Sequence, residues 1–261
     1  MTINDPRYLK KFQYRDPGNL NSRSTGRQDW AGFVFDQINP KAGELLLELG
    51  CGHAAQWQIN LRRLPAGVGL VLSDLSIGMI WEARKMLTAP KAVQFLSQEA
   101  QSLAFPDQAF DAVIANHMLY HVPVPARAIE EAARVLKPGG RFLAATNGAR
   151  HMAELDILLR EFEPRFEAET AMSRPFSLEN GRGQIEPFFE RVELIPYASD
   201  LWVTDAELLA DYVFSTPTGQ IWFCKDQICD MAAFFQRKID RDGGIFIHKS
   251  TGIFRAEGPK R

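Results

Sequence analysis

Apolar and polar positions along this chain follow two periods, and the periods take turns. WAGFVFDQI (30–38) spaces its apolar residues as a helix does and is closed by NPKAG, where Pro40 and Gly43 predict a turn. ELLLEL (44–49) is a short, nearly continuous apolar run, the pattern of a strand covered on both faces. A helix over 54–64, a strand over 67–74 and a helix over 76–87 follow, the last with Ser76 as N-cap. Strands are expected over 92–98 and 110–116. An amphipathic helix over 125–136 is stopped by KPGG before a fifth strand over 141–146. Strands and helices alternating at this spacing predict an α/β fold, a doubly wound and mostly parallel sheet with ligands at the carboxyl ends of its strands.

Beyond 146 the pattern changes. A helix is expected over 150–162, a helix start at Ser177 with Asn180, and a strand over 190–197. Residues 204–240 read as largely helical and aromatic, with Tyr212, Phe214, Trp222, Phe223, Phe234 and Phe235. GIFIHKSTGIFRAE then reads as two β-segments about a turn, one of them an edge strand. The helical block between the late strands is the natural lid, and 150–187 and 200–240 are expected to be substrate-side insertions in a domain running from 30 to 261. Its aromatics line an apolar pocket or fill a core, and helical spacing favours the core. Residues 1–29 are polar and irregular and predict an N-terminal arm.

Composition narrows the partners. Of 261 residues, 46% are hydrophobic and 24% charged, enough apolar content to bury a core. Thirty basic and 32 acidic residues leave a net charge of -2, which argues against nucleic acid as the main partner. Cys51, Cys224 and Cys229 form no framework, and an odd count in a chain this long points to reduced thiols and a cytoplasmic setting. Their spacing predicts no metal site. No apolar run follows the charges of MTINDPRYLKKFQYRD, so no secretory leader is expected. Nor do about eighteen apolar residues run together anywhere, so no membrane span is predicted. Composition leaves the oligomeric state open.

The chemistry-bearing stretch is LLLELGCGHAAQW (45–57). A strand that ends in Gly50-Cys51-Gly52 and opens a helix sets backbone N–H groups against a ligand. The third small residue is Ala54, so the dinucleotide spacing is broken. The lysine and hydroxyl of a phosphate loop are absent as well. Glu48 sits in the strand two residues before Gly50, where an acid repels pyrophosphate and attracts an amino group. Asp74, twenty-four residues after Gly50, ends the second strand, where an acid accepts both hydroxyls of a ribose. A ligand with a ribose and a cationic group fits, and S-adenosyl-L-methionine fits better than NAD.

LLLELGCGHA, LSDLSIGMI, LAFPDQAFDAVIANHMLYHV and ARVLKPGGRFLAAT, in that order over 44–146, resemble the successive motifs of class I S-adenosylmethionine-dependent methyltransferases. The likeness is to the small-molecule branch with the quinone and natural-product enzymes. It implies a Rossmann-like, seven-stranded sheet with a late antiparallel hairpin. It also implies methyl transfer to an O, N or C atom of a small, partly apolar metabolite. By the same resemblance Glu48, Gly50, Cys51 and Gly52 line the methionine end, Asp74 holds the ribose, and Leu75 and Met79 pack near the adenine. Glu99-Ala100 stands where the family has Asp-Ala, so the longer side chain puts that direct contact in doubt while the Ala100 N–H survives. Asn116 falls near the methionine moiety, with His117 or Met118 just beyond. His53 departs from the family's small or hydroxyl residue, and either caps the helix start near the cofactor carboxylate or points to solvent.

A base is needed only where the acceptor must lose a proton, and His117 and His121 are the candidates. His121 stands where the family has His whatever its chemistry, which favours packing or hydrogen bonding for it. Tyr14, Arg15 and Arg23 of the arm stand where related enzymes fold a segment over the cofactor, though an ordinary solvated arm is the simpler reading. Trp57 reads as helix packing. NHMLY lacks the prolines that follow the fourth strand in enzymes acting on nucleobase amines, which weighs against methylation of RNA or protein. It also lacks the carboxylates of the magnesium-dependent variants. A non-catalytic cofactor-binding protein is the remaining alternative.

Overall fold

The structure is a computed structural model and describes residues 20, 28–87, 92–167 and 175–261. Asp29 starts the first helix: its carboxylate accepts the Gly32 N–H at 2.8 Å and caps α1 (Trp30–Ile38), which buries Val34, Phe35 and Ile38. Then come β1 (Leu45–Leu49), α2 (Ala55–Asn60) and β2 (Gly69–Asp74). The Ser76 hydroxyl caps α3 (Ile77–Met86), and β3 (Val93–Ser97), β4 (Phe110–Asn116), α4 (Pro125–Val135) and β5 (Leu136–Asn147) follow. The helix expected over 54–64 is in two pieces, because the chain tightens to a 3-10 turn over Leu61–Arg63.

After β5 the chain forms α5 (Ala153–Phe162), α6 (Gly181–Ile185), β6 (Phe189–Pro196) and β7 (Leu201–Val203). It continues as α7 (Ala206–Ser215), α8 (Pro217–Trp222), α9 (Ile228–Asp242), β8 (Ile245–Ile247) and β9 (Thr251–Pro259). These elements sort into two compact units. Over the described residues one holds 28–149, 175–197 and 251–261, and the other holds Leu20, 150–167 and 198–250.

The first unit is a seven-stranded sheet in the order β3-β2-β1-β4-β5-β9-β6, parallel from β3 to β5, with β9 antiparallel to both its neighbours. Alternate residues of the central strands fill two cores. Leu46, Leu70, Leu72 and Ile114 meet Ile38, Trp57, Ile80 and Ala83 on one face. Leu47, Leu49, Val113 and Phe142 meet Ala128, Ile129 and Ala132 of α4 on the other. That double burial is why the strands read as continuous apolar runs. Arg141 of β5, 9% exposed, ties the layers: it donates to the Ile38 carbonyl at 2.6 Å and forks onto Glu44 at 2.9 and 2.7 Å.

The second unit has its own core of Leu155, Leu159, Leu209, Val213, Met231 and Phe235 beneath the antiparallel pair β7–β8. Phe214 and Phe223 are buried in it, and Tyr212, Trp222 and Phe234 pack against it, so the aromatics of 204–235 are core residues.

The late antiparallel pair of the expected sheet is present as β6 with β9, and the two β-segments of 245–259 go to different sheets. β8 and β9 do not pair across their turn: β8 pairs with β7 in the second unit, and β9 enters the main sheet between β5 and β6. So β9 is interior and β6 is the edge. The physical reason is that period-two patterning states which faces are covered and not which strand lies alongside. Three-residue β7 is too short to show a period at all.

Candidate active site

Because β1 lies between β2 and β4, with Leu49 opposite both Ser73 and Ala115, the three strand ends meet at one carboxyl edge. The glycine turn leaves β1 there. Cys51 N–H donates to the Ser73 carbonyl at 2.9 Å, and Gly50 and Gly52 have φ of +62° and +55°. A Cβ at Gly50 would stand 2.6 Å from Cβ of Met118, so both the backbone and the close approach of the turn after β4 demand glycine. Ala54, fully buried and left-handed at φ +61°, caps α2 without a side-chain bond. His53 is exposed and does not cap the helix. Cys51 is buried, and burial pushes its thiol well above the ordinary range, so it is no nucleophile here.

Glu48 is 2% exposed and accepts the Trp57 indole N–H at 2.5 Å. Burial pushes its carboxyl up to about 7, against the pull of the Trp57 bond and with a smaller push from the Asp74 charge. Trp57 is therefore more than packing, because it is the donor that holds the site's buried acid. Asp74 at the end of β2 accepts Gly52 N–H through Oδ2 at 2.9 Å and Ser76 N–H through Oδ1 at 2.8 Å. Burial raises its carboxyl too, partly offset by those two bonds. Each oxygen keeps a further lone pair for a hydroxyl.

On the far side of β2, Leu75 is 41% exposed and Met79 half-buried, with the Met79 N–H on the Ser76 hydroxyl. Glu99 Oε1 accepts from the backbone and side chain of Gln101 at 3.2 and 3.3 Å, and Ala100 is buried.

The end of β4 carries the other group of polar residues. Asn116 Oδ1 accepts the Trp30 indole N–H at 3.2 Å. His117 follows with φ +55°, held by its N–H on the Ala145 carbonyl at 3.1 Å, and its ring stands 5.0 Å from that of Trp30. Tyr197, at the end of β6, meets the edge of Trp30 at 5.0 Å and donates its hydroxyl to the Gln28 carbonyl at 2.6 Å. His121 is exposed, with its ring 4.4 Å from Tyr120. Sequence reasoning missed Trp30 and Tyr197 as site residues. Trp30 reads as an apolar helix position, and Tyr197 reaches the edge only because β9 seats β6 there. Tyr14 and Arg23 lie outside the described residues, and so does Arg15. Among the described residues no group of three His, Cys, Asp or Glu side chains is placed to hold a metal ion.

A buried acid, an acid on the glycine turn's own amides and a left-handed turn with no phosphate-loop lysine suit a ligand with an ammonium and a ribose. Residues 47–144 match the family model for the methyltransferase domain. This stretch is similar to a methyltransferase domain. The demethylmenaquinone methyltransferase of Clavibacter sepedonicus is 34% identical over 116 residues, 44% of this chain and 46% of that protein. The chain thus spans about half the length of that curated relative. A Haemonchus contortus phosphoethanolamine N-methyltransferase 2, solved in complex with S-adenosyl-L-methionine, shares the fold at TM-score 0.59 and 17% identity, over 99% of this chain and 61% of that one. The [4+2]-cyclase SpnF shares it at TM-score 0.58 and 18% identity, over 90% of this chain and 85% of that one.

Proposed function

We propose that this protein transfers a methyl group from S-adenosyl-L-methionine to an O, N or C atom of a small, partly apolar metabolite. The observation that carries the reading is Glu48: an acid buried beside the glycine turn is matched by a ligand ammonium and would repel a pyrophosphate. In this reading Glu48 and the turn Gly50–Gly52 hold the methionine end, with Cys51 and Asn116 beside it. Asp74 holds the ribose, and Leu75, Met79, the Ala100 N–H and Glu99 address the adenine. His53, exposed at the turn, completes the set. The cofactor supplies a methyl group already activated on a sulfonium, so that the acceptor's electron pair forms the new bond as the bond to sulfur breaks. This chain's part is alignment and exclusion of water, with His117 or His121 taking a proton where the acceptor must lose one. The reduced thiols and the absence, among the described residues, of a helix able to cross a membrane are compatible with a cytoplasmic enzyme.

The quinone substrate named for the relative suggests a first acceptor to try. Calorimetric titration with S-adenosylmethionine and with NAD, followed by assay of S-adenosylhomocysteine formation on 1,4-dihydroxynaphthalene and on a metabolite extract, tests the reading. Tight NAD binding without S-adenosylmethionine binding would overturn it. A second reading is a cofactor-binding protein without methyl transfer, and the fold alone does not decide between the two, since a [4+2]-cyclase shares it. Cofactor binding with no methylated product from any extract supports that alternative. Salt-dependent RNA affinity would instead support a macromolecular acceptor.

A further inference from the structure

Two tryptophans grip the two polar side chains at the ends of neighbouring strands β1 and β4: Trp57 donates to Glu48, and Trp30 donates to Asn116 Oδ1 at 3.2 Å. An indole N–H donates and cannot accept. It therefore decides which end of a carboxamide faces it, and that end is the oxygen. The Nδ2 donors of Asn116 then point away from Trp30, and they make no hydrogen bond to any described residue. Trp30 is itself held. Its ring packs at 5.0 Å on His117, 5.8 Å on Phe33 and 5.0 Å on Tyr197, and the Tyr197 hydroxyl bonds the carbonyl of Gln28, two residues before it. The cap on α1 fixes the backbone on the other side. The acid and the amide thus present opposite polarity: Glu48 accepts and Asn116 donates.

We infer that Trp30 is a positioning residue for ligand recognition, turning the Asn116 carboxamide so that its N–H donors address the carboxylate of an amino-acid moiety whose ammonium Glu48 accepts. Tyr197 holds Trp30 in that orientation. This rests on the reading of the preceding subsection and adds to it how a zwitterion is told from a simple amine.

The test compares two ligands that differ by one carboxylate: S-adenosylhomocysteine and 5′-(3-aminopropylthio)-5′-deoxyadenosine, its decarboxylated analogue. Each is titrated calorimetrically into the 261-residue chain. The wild type is expected to prefer S-adenosylhomocysteine at least about tenfold, as loss of a charge-assisted bond implies. Trp30→Phe, which keeps a ring and removes the donor, should shrink that preference to within about threefold while affinity for the analogue stays within about twofold. Asn116→Leu should shrink the preference as well, and the double variant should shrink it no further. A merely structural role would weaken both ligands alike, and an unchanged ratio in Trp30→Phe overturns the inference. Should Trp30→Phe lose its cooperative melt, Tyr197→Phe carries the same comparison, with a smaller fall in the ratio expected and an unchanged ratio again decisive against it. Equal wild-type affinity for the two ligands sinks this inference alone. Wild type binding neither sinks the proposed function as well.

Discussion

Glu48 is the residue whose chemistry is most exposed to test. Its carboxyl is raised to about 7 in the folded chain by burial, against an unfolded value of 4.5. Between those values the folded state holds a proton that the unfolded state has lost, so stability falls as pH rises from about 4.5 through about 7 and levels off above. Glu48→Gln removes that slope, and urea unfolding from pH 4.5 to 8 should find the variant gaining on wild type as pH rises. Binding runs the other way. A cationic ligand prefers the ionised acid, so affinity for S-adenosylmethionine should rise from pH 6 to 8 in the wild type and stay flat, and about tenfold lower at pH 8, in Glu48→Gln. Calorimetry in two buffers of different ionisation enthalpy checks it through the proton released near pH 6. Trp57→Phe removes the donor to that acid and should cost about 1–3 kcal/mol, measured by the shift in urea midpoint.

At the scale of elements, the two turns at the carboxyl edge depend on each other. Gly50→Ala meets two penalties, a left-handed backbone at φ +62° and a Cβ 2.6 Å from that of Met118. Together these are expected to cost on the order of 3 kcal/mol. Met118→Ala in the same chain relieves the contact and not the backbone, so it should restore part of the loss and never all. Arg141 does a comparable job at the opposite end of the sheet, where its guanidinium joins β5 to the α1–β1 connection through Ile38 and Glu44. Arg141→Met should destabilise by about 3 kcal/mol because it strands a half-buried carboxylate. Adding Glu44→Gln should recover part of that, and a double-mutant cycle by chemical denaturation measures how much.

For the whole molecule, the chain leaves the sheet unit twice and comes back next to where it left. Leu178 N–H bonds the Asn147 carbonyl at 3.2 Å, and Tyr197 N–H bonds the Thr251 carbonyl at 2.9 Å. Replacing 150–174 and 198–250 by short Asn-Gly linkers should therefore leave the seven-stranded sheet folded, with a single cooperative melt and parallel-sheet circular dichroism. Loss of that melt would show that the sheet unit does not fold alone. Much of this sheet was legible in the residues. Strands β1 to β5 and their helices stand within a few residues of the apolar runs that predict them, because burial on both faces writes itself into a strand as an unbroken run. The positions of the glycine turn, Glu48 and Asp74 were legible too, because each stands at the carboxyl end of a strand that the apolar runs mark, and parallel neighbours bring those ends together. What the sequence did not determine is whatever depends on which segment comes to lie beside which. Periodicity marks a covered face and carries no address for what covers it. So only the tertiary structure could seat β9 between β5 and β6, send β8 to β7, and place the indoles of Trp57 and Trp30 on Glu48 and Asn116.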